Sequence, residues 1–317
     1  MITDDTEVLQ VVVDWLQSGY TVELVTLVEA WGSSPRPVGS LAAVRNDGKL
    51  VGSVSGGCIE KQIVTRFQKK NRTSVVEHNI SHDQAMRFGL PCGGSLKLVM
   101  EQLSDSVALR GILEELEKRK LVSRTVDLES GKIVIQPAQR GEKFRFDGKT
   151  LIKIFGPKQS LLLIGAGQLS RHVAELASVL DFDVTICEPR ESFASVWSVP
   201  GIRIDSRYPD EVVRELAIDP TIAVLALTHD PNLDDLALME ALERNLFYVG
   251  ALGSKRSNES RRKRLGFLGL SEDRIERLHG PIGLDIGSRT SAEIAVSIMA
   301  QVIAVRNGKT FSRKGTT

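Results

Sequence analysis

Two cysteines stand beside paired glycines, and they are the residues of this chain best suited to bind a soft metal or to carry sulfur. Cys58 follows Gly56-Gly57, and Cys92 precedes Gly93-Gly94. The run after Cys58 is predicted to be helical, and the dipole at the start of a helix stabilises a thiolate. Such a thiolate attacks electrophiles, carries sulfur or ligates a metal. Both cysteines can instead be small buried residues beside turns.

A third glycine turn has the spacing of a nucleotide site. Four apolar residues, Leu161 to Ile164, predict a strand buried on both faces, and Gly165 and Gly167 then allow a tight turn into a helix. The backbone N–H groups and the dipole at that helix N-terminus favour a pyrophosphate. Ser170 stands where the usual fingerprint has its third glycine, and it is small enough for close helix–strand packing.

The residues after the next predicted strand support a nucleotide. Glu188 ends that strand about twenty residues beyond the glycines, where a carboxylate can accept hydrogen bonds from ribose hydroxyls. Glu188 favours NAD over NADP, because it would repel a 2′-phosphate, but Arg190 could offset that repulsion. Cys187, inside the apolar strand, is predicted to belong to the core.

Later strands of the C-terminal half also end in polar residues, and open α/β sheets bind ligands at that edge. His229 is a candidate acid or base near neutral pH, whereas the adjacent Asp230 can serve simply as a helix cap. Lys255 and Arg256 are near enough to meet a phosphate, although the basic segment 255–264 is predicted to form a solvated helix face.

Asp285 lies in a glycine-punctuated loop, residues 281–287, that could close over a ligand. It is either a polar contact or a turn former.

The elements that must position these residues fall into two groups. Before residue 150, a helix, several strands and three hairpin signals, the first at Asn46-Asp47-Gly48, predict an α+β domain. From residue 158 onward, βα units repeat and predict a parallel sheet. The predicted fold class is α/β, with a Rossmann-like nucleotide-binding domain at residues 158–317 preceded by a smaller α+β domain, residues 1–150, that carries Cys58 and Cys92.

The composition is that of an ordinary globular protein. The 317 residues are 42% apolar and 26% charged, and the net charge of +1 argues against a nucleic-acid partner. Apolar runs are too short for a membrane span, and the acidic N-terminus lacks the positive region of a signal peptide, so we expect no membrane association and a cytoplasmic protein. Three cysteines do not suggest a disulfide framework.

Several blocks together resemble the XdhC/CoxI family, whose members help to mature molybdenum hydroxylases such as xanthine dehydrogenase. The resemblance covers nearly the whole chain and is carried in order by residues 32–39, 55–60, 92–94, 165–170, 229–230, 250–256 and 281–287.

The resemblance implies a protein that binds molybdenum cofactor, as molybdopterin or a dinucleotide form, and protects it. It further implies exchange of an oxo for a sulfido ligand with a cysteine desulfurase, delivery to the apo-enzyme of a molybdenum hydroxylase, and a homodimer. Cys58 and Cys92 would then hold molybdenum or sulfur, and the neighbouring glycines would admit the pterin. The Gly165 turn would bind the phosphate or nucleotide of that cofactor in place of NAD.

An NAD(P)-dependent oxidoreductase with His229 as acid or base is the alternative. In that case the N-terminal half would bind the substrate. The sequence shows no evident His–carboxylate pair or Lys–Tyr pattern beside the nucleotide turn, so we expect a maturation factor rather than an enzyme.

Overall fold

The structure is a computed structural model and describes residues 5–31, 36–57, 59–66, 73–80, 94–139, 142–216 and 221–309. The chain divides into two compact units of nearly equal length, Met1–Pro157 and Lys158–Thr317.

The N-terminal unit contains two antiparallel sheets. Its described helices are α1 (Asp5–Gln17), α2 (Glu60–Arg66) and α3 (Val107–Glu117). Its described strands are β1 (Val22–Trp31), β2 (Leu41–Arg45), β3 (Leu50–Gly52), β4 (Ser74–Ile80), β5 (Gly94–Leu103), β6 (Val122–Asp127), β7 (Ile133–Pro137), β8 (Arg145–Phe146) and β9 (Thr150–Phe155). The five-stranded sheet has the order β3-β2-β1-β5-β4, and the four-stranded sheet has the order β7-β6-β9-β8.

Helical and strand periodicities explain how this unit packs. The buried residues of α1, among them Val8 and Val12, recur at helical spacing and pack with Val22 and Leu24 of β1. Ile63 of α2 packs with apolar residues of the opposite set, which includes Val25. All three predicted hairpins are confirmed, because β2–β3, β6–β7 and β8–β9 each pair antiparallel.

The C-terminal unit is a doubly wound α/β fold. Its described strands are β10 (Ser160–Ile164), β11 (Asp183–Cys187), β12 (Arg203–Asp205), β13 (Ile222–Ala226), β14 (Tyr248–Ala251) and β15 (Leu278–His279). Its described helices are α4 (Gln168–Val179), α5 (Glu191–Ala194), α6 (Pro209–Glu215), α7 (Pro231–Glu243), α8 (Lys255–Phe267), α9 (Glu272–Glu276) and α10 (Ser291–Arg306). The sheet is parallel, in the order β12-β11-β10-β13-β14-β15.

This strand order confirms the predicted Rossmann-like fold. Sequence order reverses between β10 and β13, which is where doubly wound sheets bind ligands. The sheet is buried on both faces: Leu162 packs with Leu238 of α7, and Leu163 packs with Val173 of α4. Cys187 is buried as predicted, and burial raises the pKa of its thiol to about 12.

Among the helices that the structure describes, none combines the length and the apolar character needed to cross a membrane.

The five-stranded sheet buries a carboxyl group that lacks a full set of partners. Glu23 of β1 lies opposite Gln102 of β5, and its side chain is 7% exposed. Within the described residues, neither Glu23 Oε2 nor Gln102 Oε1 has a hydrogen-bond partner. Burial raises the pKa of Glu23 to about 7, and only the protonated carboxyl can donate to an acceptor.

We therefore expect Glu23→Gln to stabilise the protein at pH 8 and to have little effect at pH 4. The folded-state pKa lies above the ordinary value of 4.5, so stability is fully present below pH 4.5 and is lost as the pH rises through 7. The gain at pH 8 should be about 2 to 3 kcal/mol. Urea unfolding at both pH values measures it, and an equal effect at the two would refute the assignment.

Candidate functional site

The predicted ligand residues of the C-terminal unit lie at one edge of its parallel sheet. Because the strands are parallel, the loops that follow β10, β11, β13 and β14 leave from the same side. These loops and the helix starts after them carry Gly165, Gly167, Ser170, Glu188, Arg190, His229, Asp230, Lys255 and Arg256. Asp285 is exposed in the loop after β15.

The Gly165 turn requires glycine for two reasons. Its φ is +102°, and a Cβ atom there would lie 2.6 Å from Thr228 Cγ2, at the end of the neighbouring strand β13. Gly167 is the N-cap of α4, no side chain caps that helix end, and the space where its Cβ would stand is open. The first N–H groups of α4 are therefore placed to meet an anion.

Glu188 supports this turn from below. The carboxylate is fully buried, and its Oε2 accepts a hydrogen bond from the Ala166 N–H at 3.0 Å. Arg190 donates to both oxygens through Nε and Nη2, each at 2.8 Å, and through its backbone N–H at 3.0 Å. Burial alone would raise the pKa of Glu188, but the bonds from Arg190 and Ala166 bring it below its usual value. A ribose hydroxyl would have to compete with these donors.

Arg190 connects two loops of the sheet edge. Its half-buried guanidinium lies 4.3 Å from the ring centre of Phe193. The bonds to Glu188, together with the charges of Asp230 and Asp234 beyond β13, raise the pKa of Arg190. Because Glu188 also bonds Ala166, it holds the Arg190 cation beside the glycine turn.

Ser170 packs α4 against the sheet. Its side chain is 1% exposed, and its hydroxyl has no hydrogen-bond partner within the described residues. A small residue at this third-glycine position thus permits the close approach predicted from the sequence.

His229 and Asp230 have different environments. Asp230 is the N-cap of α7 and accepts a hydrogen bond from the Asn232 N–H at 3.0 Å, which confirms the capping role. His229 is exposed and lines a cavity of about 350 Å³ together with Arg256 and Ser260. Lys255 is exposed at the start of α8.

Sequence reasoning missed the charged network beneath these loops. The prediction that segment 255–264 forms a solvated face is wrong for Arg261, which is 6% exposed. Arg261 donates to Asp234 Oδ2 at 2.9 Å, to Asp235 Oδ1 at 3.1 Å and to the Leu252 carbonyl at 2.8 Å. The only available signal was a pair of adjacent aspartates in a largely apolar helix.

The network joins the ends of two strands. Asp234 Oδ1 accepts a hydrogen bond from Thr228 Oγ1 at 2.7 Å, and Arg261 bonds the Leu252 carbonyl just beyond β14. Burial raises the pKa of Asp234 to about 6, although the Thr228 and Arg261 interactions act in the opposite direction. The loops that carry His229 and Arg256 are thereby fixed to one another.

The N-terminal unit contains the second candidate site, around Gly56 and Gly57. Both glycines have positive φ, +74° and +111°. Cys58, Cys92 and Gly93 lie outside the described residues, so the predicted metal or sulfur pair stays a prediction. Considering only the residues that are described, no group of three or more His, Cys, Asp or Glu is arranged to bind a metal ion.

Two of the sequence blocks meet in this unit. Arg36 Nε donates to the Ser53 carbonyl at 3.3 Å, which joins the segment before β2 to the loop that leads to Cys58. Both stretches stand out in the sequence, but their contact is not predictable from it.

Comparison with known proteins identifies the family. Residues 161–302 match the family described as the XdhC Rossmann domain, and residues 15–78 match the XdhC and CoxI family. The chain is 30% identical over 315 residues to the molybdenum cofactor insertion chaperone PaoD of Escherichia coli K12, covering 96% of this chain and 90% of that protein. The chain belongs to the XdhC and CoxI family. The resemblance inferred from the sequence blocks is confirmed.

Further relatives match this XdhC/CoxI protein over most of its length. A protein of Bacillus subtilis 168 named as a probable xanthine dehydrogenase component is 24% identical, with 89% of this chain and 92% of that protein covered. A crystal structure described as a xanthine dehydrogenase from Bacillus halodurans superposes with a TM-score of 0.78 at 25% identity and covers 98% of both chains.

Proposed function

We propose that this XdhC/CoxI protein is a maturation factor that binds molybdenum cofactor, protects it and inserts it into a molybdenum hydroxylase. The similarity to the insertion chaperone PaoD, 30% identity over 90% of that protein, carries the proposal. Sulfuration of the bound cofactor with a cysteine desulfurase and assembly as a homodimer belong to the same proposal.

The sheet edge of the C-terminal unit suits the phosphate of molybdenum cofactor or of its dinucleotide form. The uncapped N-terminus of α4, the open space at Gly167 and the guanidinium of Arg190 provide N–H donors and positive charge. Glu188 already accepts its hydrogen bonds from Ala166 and Arg190, which favours a phosphate over a ribose diol at this position. Binding of NAD stays a prediction.

The cysteine loop is the proposed holder of molybdenum or sulfur. Thiolates are soft ligands, and a thiolate can also receive sulfur from a desulfurase. We assign this role to Cys58 and Cys92. The bound cofactor would supply the molybdenum centre, and the protein would supply a sheltered place for it.

Transfer of cofactor to a client tests the function. The protein loaded with molybdenum cofactor is mixed with the apo-enzyme of a molybdenum hydroxylase, and the recovered hydroxylase activity is compared with that from an equal amount of free cofactor. We expect a higher yield from the loaded protein, especially after exposure to air. Equal yields from loaded protein and free cofactor would contradict the proposal.

A second candidate, an NAD(P)-dependent oxidoreductase, is favoured by relatives named xanthine dehydrogenase and by the exposed His229 at the sheet edge. It predicts reduction of NAD(P) by the isolated protein with a hydroxylase substrate, and loss of that rate in His229→Asn. We expect no such turnover.

Arg256 gives a direct test of the anion site. Because Arg256 is exposed and lines the cavity after β13, Arg256→Ala should leave folding intact. We expect it to weaken binding of molybdenum cofactor by about tenfold, the loss of one charge-assisted hydrogen bond. Lys263→Ala, which removes an exposed charge of the same helix outside the cavity lining, is the matched control. Equal affinities of the two variants would remove Arg256 from the site.

A further inference from the structure

A buried carboxylate stands at the start of α2, two residues after Cys58. The side chain of Glu60 is 7% exposed. Its Oε1 accepts hydrogen bonds from Ser53 Oγ at 2.6 Å, from the Ser55 N–H at 3.0 Å and from the Val54 N–H at 3.2 Å. All three donors belong to the segment that precedes the paired glycines.

The second oxygen accepts hydrogen bonds from both sides of the cysteine. Glu60 Oε2 bonds the Gly57 N–H at 3.0 Å and the Ile59 N–H at 3.2 Å, and the Ser55 hydroxyl also donates to it. Gly57 and Ile59 are the two chain neighbours of Cys58. One oxygen atom therefore fixes the backbone immediately before and immediately after the thiol-bearing residue.

The loop is built around this carboxylate. The positive φ angles of Gly56 and Gly57 allow the chain to turn so that successive N–H groups face one acceptor. Ser53 Oγ adds an indirect link, since it accepts a bond from the Gly56 N–H while donating to Glu60. Burial alone would raise the pKa of Glu60, but the bonds from Ser53, Ser55 and the backbone lower it below its usual value.

We infer that Glu60 is the positioning residue of the cysteine loop, residues 53–59, and that it holds the thiol of Cys58 where molybdenum cofactor binds. The inference rests on the proposed function. Six donors occupy the two oxygens, so Glu60 acts through the loop and not by contact with the cofactor. A glutamine cannot replace it, because its amide nitrogen is a donor and would face other donors.

A double-variant cycle on cofactor affinity tests this role. Glu60→Gln should weaken binding of molybdenum cofactor by about tenfold, the usual cost of losing a group that orients a ligand. Because Glu60 acts through Cys58, the variant that combines Glu60→Gln with Cys58→Ala should bind no more weakly than Cys58→Ala alone. Losses that multiply, or wild-type affinity in Glu60→Gln, would overturn the inference.

Two further variants guard against a trivial loss of folding. Ser53→Ala removes one hydroxyl donor and leaves the carboxylate in place, and it should weaken binding by about threefold, the cost of one neutral hydrogen bond. Glu23→Gln also removes a buried carboxyl from the N-terminal unit but touches none of these donors, and it should bind the cofactor like the wild type. Equal effects of Ser53→Ala and Glu23→Gln would overturn the inference.

Amide hydrogen exchange separates this inference from the proposed function. The Gly57 and Ile59 amides should be protected in the wild type and should exchange at least about ten times faster in Glu60→Gln, while the amides of β1 and β5 stay protected. Unchanged protection at both amides would show that Glu60 does not hold the loop. If the wild type bound no cofactor, the proposed function would fail, whereas the exchange result would still decide the role of Glu60 in the loop.

Discussion

Replacing Arg261 with alanine is expected to lower the free energy of unfolding of the C-terminal unit by about 3 to 5 kcal/mol. Arg261 bonds both Asp234 and Asp235, whose carboxylates are buried beneath the ends of β13 and β14. Without the guanidinium, two neighbouring buried charges would face each other uncompensated. Urea unfolding of wild type and variant measures the loss.

The pH dependence of that loss identifies its cause. Burial raises the pKa of Asp234 to about 6 while Arg261 is present, and removal of the cation should raise that pKa further. Protonation of Asp234 neutralises the charge, so Arg261→Ala should be less destabilising at pH 5 than at pH 8. Asp234→Asn in the same background should recover part of the loss, and Lys263→Ala should have almost no effect. A loss below about 1 kcal/mol at pH 8 would show that the network is not a buried ion pair of the strength we assign.

The second large effect is expected at the cysteines. Cys58→Ala and Cys92→Ala should each weaken binding of molybdenum cofactor by at least about tenfold, because each removes a soft ligand or a sulfur carrier. Cys187→Ala is the matched control, since this third cysteine is buried in β11 and should not affect affinity. Titration of the apo-protein with cofactor measures all three. Parental affinity in both Cys58→Ala and Cys92→Ala would refute the assignment of the thiols.

Local sequence patterns were sufficient to predict most of the fold. The apolar run Leu161 to Ile164, the glycines after it and the repeating βα units predicted a parallel sheet, because each of these signals depends on neighbouring residues alone. The capping box of Thr290 and Glu293 was likewise predicted and is confirmed.

The site was less predictable because its key contacts join residues far apart in the chain or depend on how side chains turn. Arg261 has basic neighbours that favour a solvated face, and nothing local reveals that it reaches aspartates 26 and 27 positions away. The position of Glu188 was predicted correctly, but not its bonds to Ala166 and Arg190. Glu60 belongs to one of the family-like blocks, yet its carboxylate turns back onto six donors, a direction that periodicity does not determine.

The most direct test of the central claim is the content of the purified protein. The chain is produced in cells that synthesise molybdenum cofactor and purified without air, after which bound molybdenum is quantified by mass spectrometry and the released pterin by fluorescence. We predict molybdenum and pterin in equal molar amounts, reduced in Cys58→Ala and Cys92→Ala and unchanged in Cys187→Ala. Protein that carries neither, or that carries only NAD(P), would contradict the role of a molybdenum cofactor carrier.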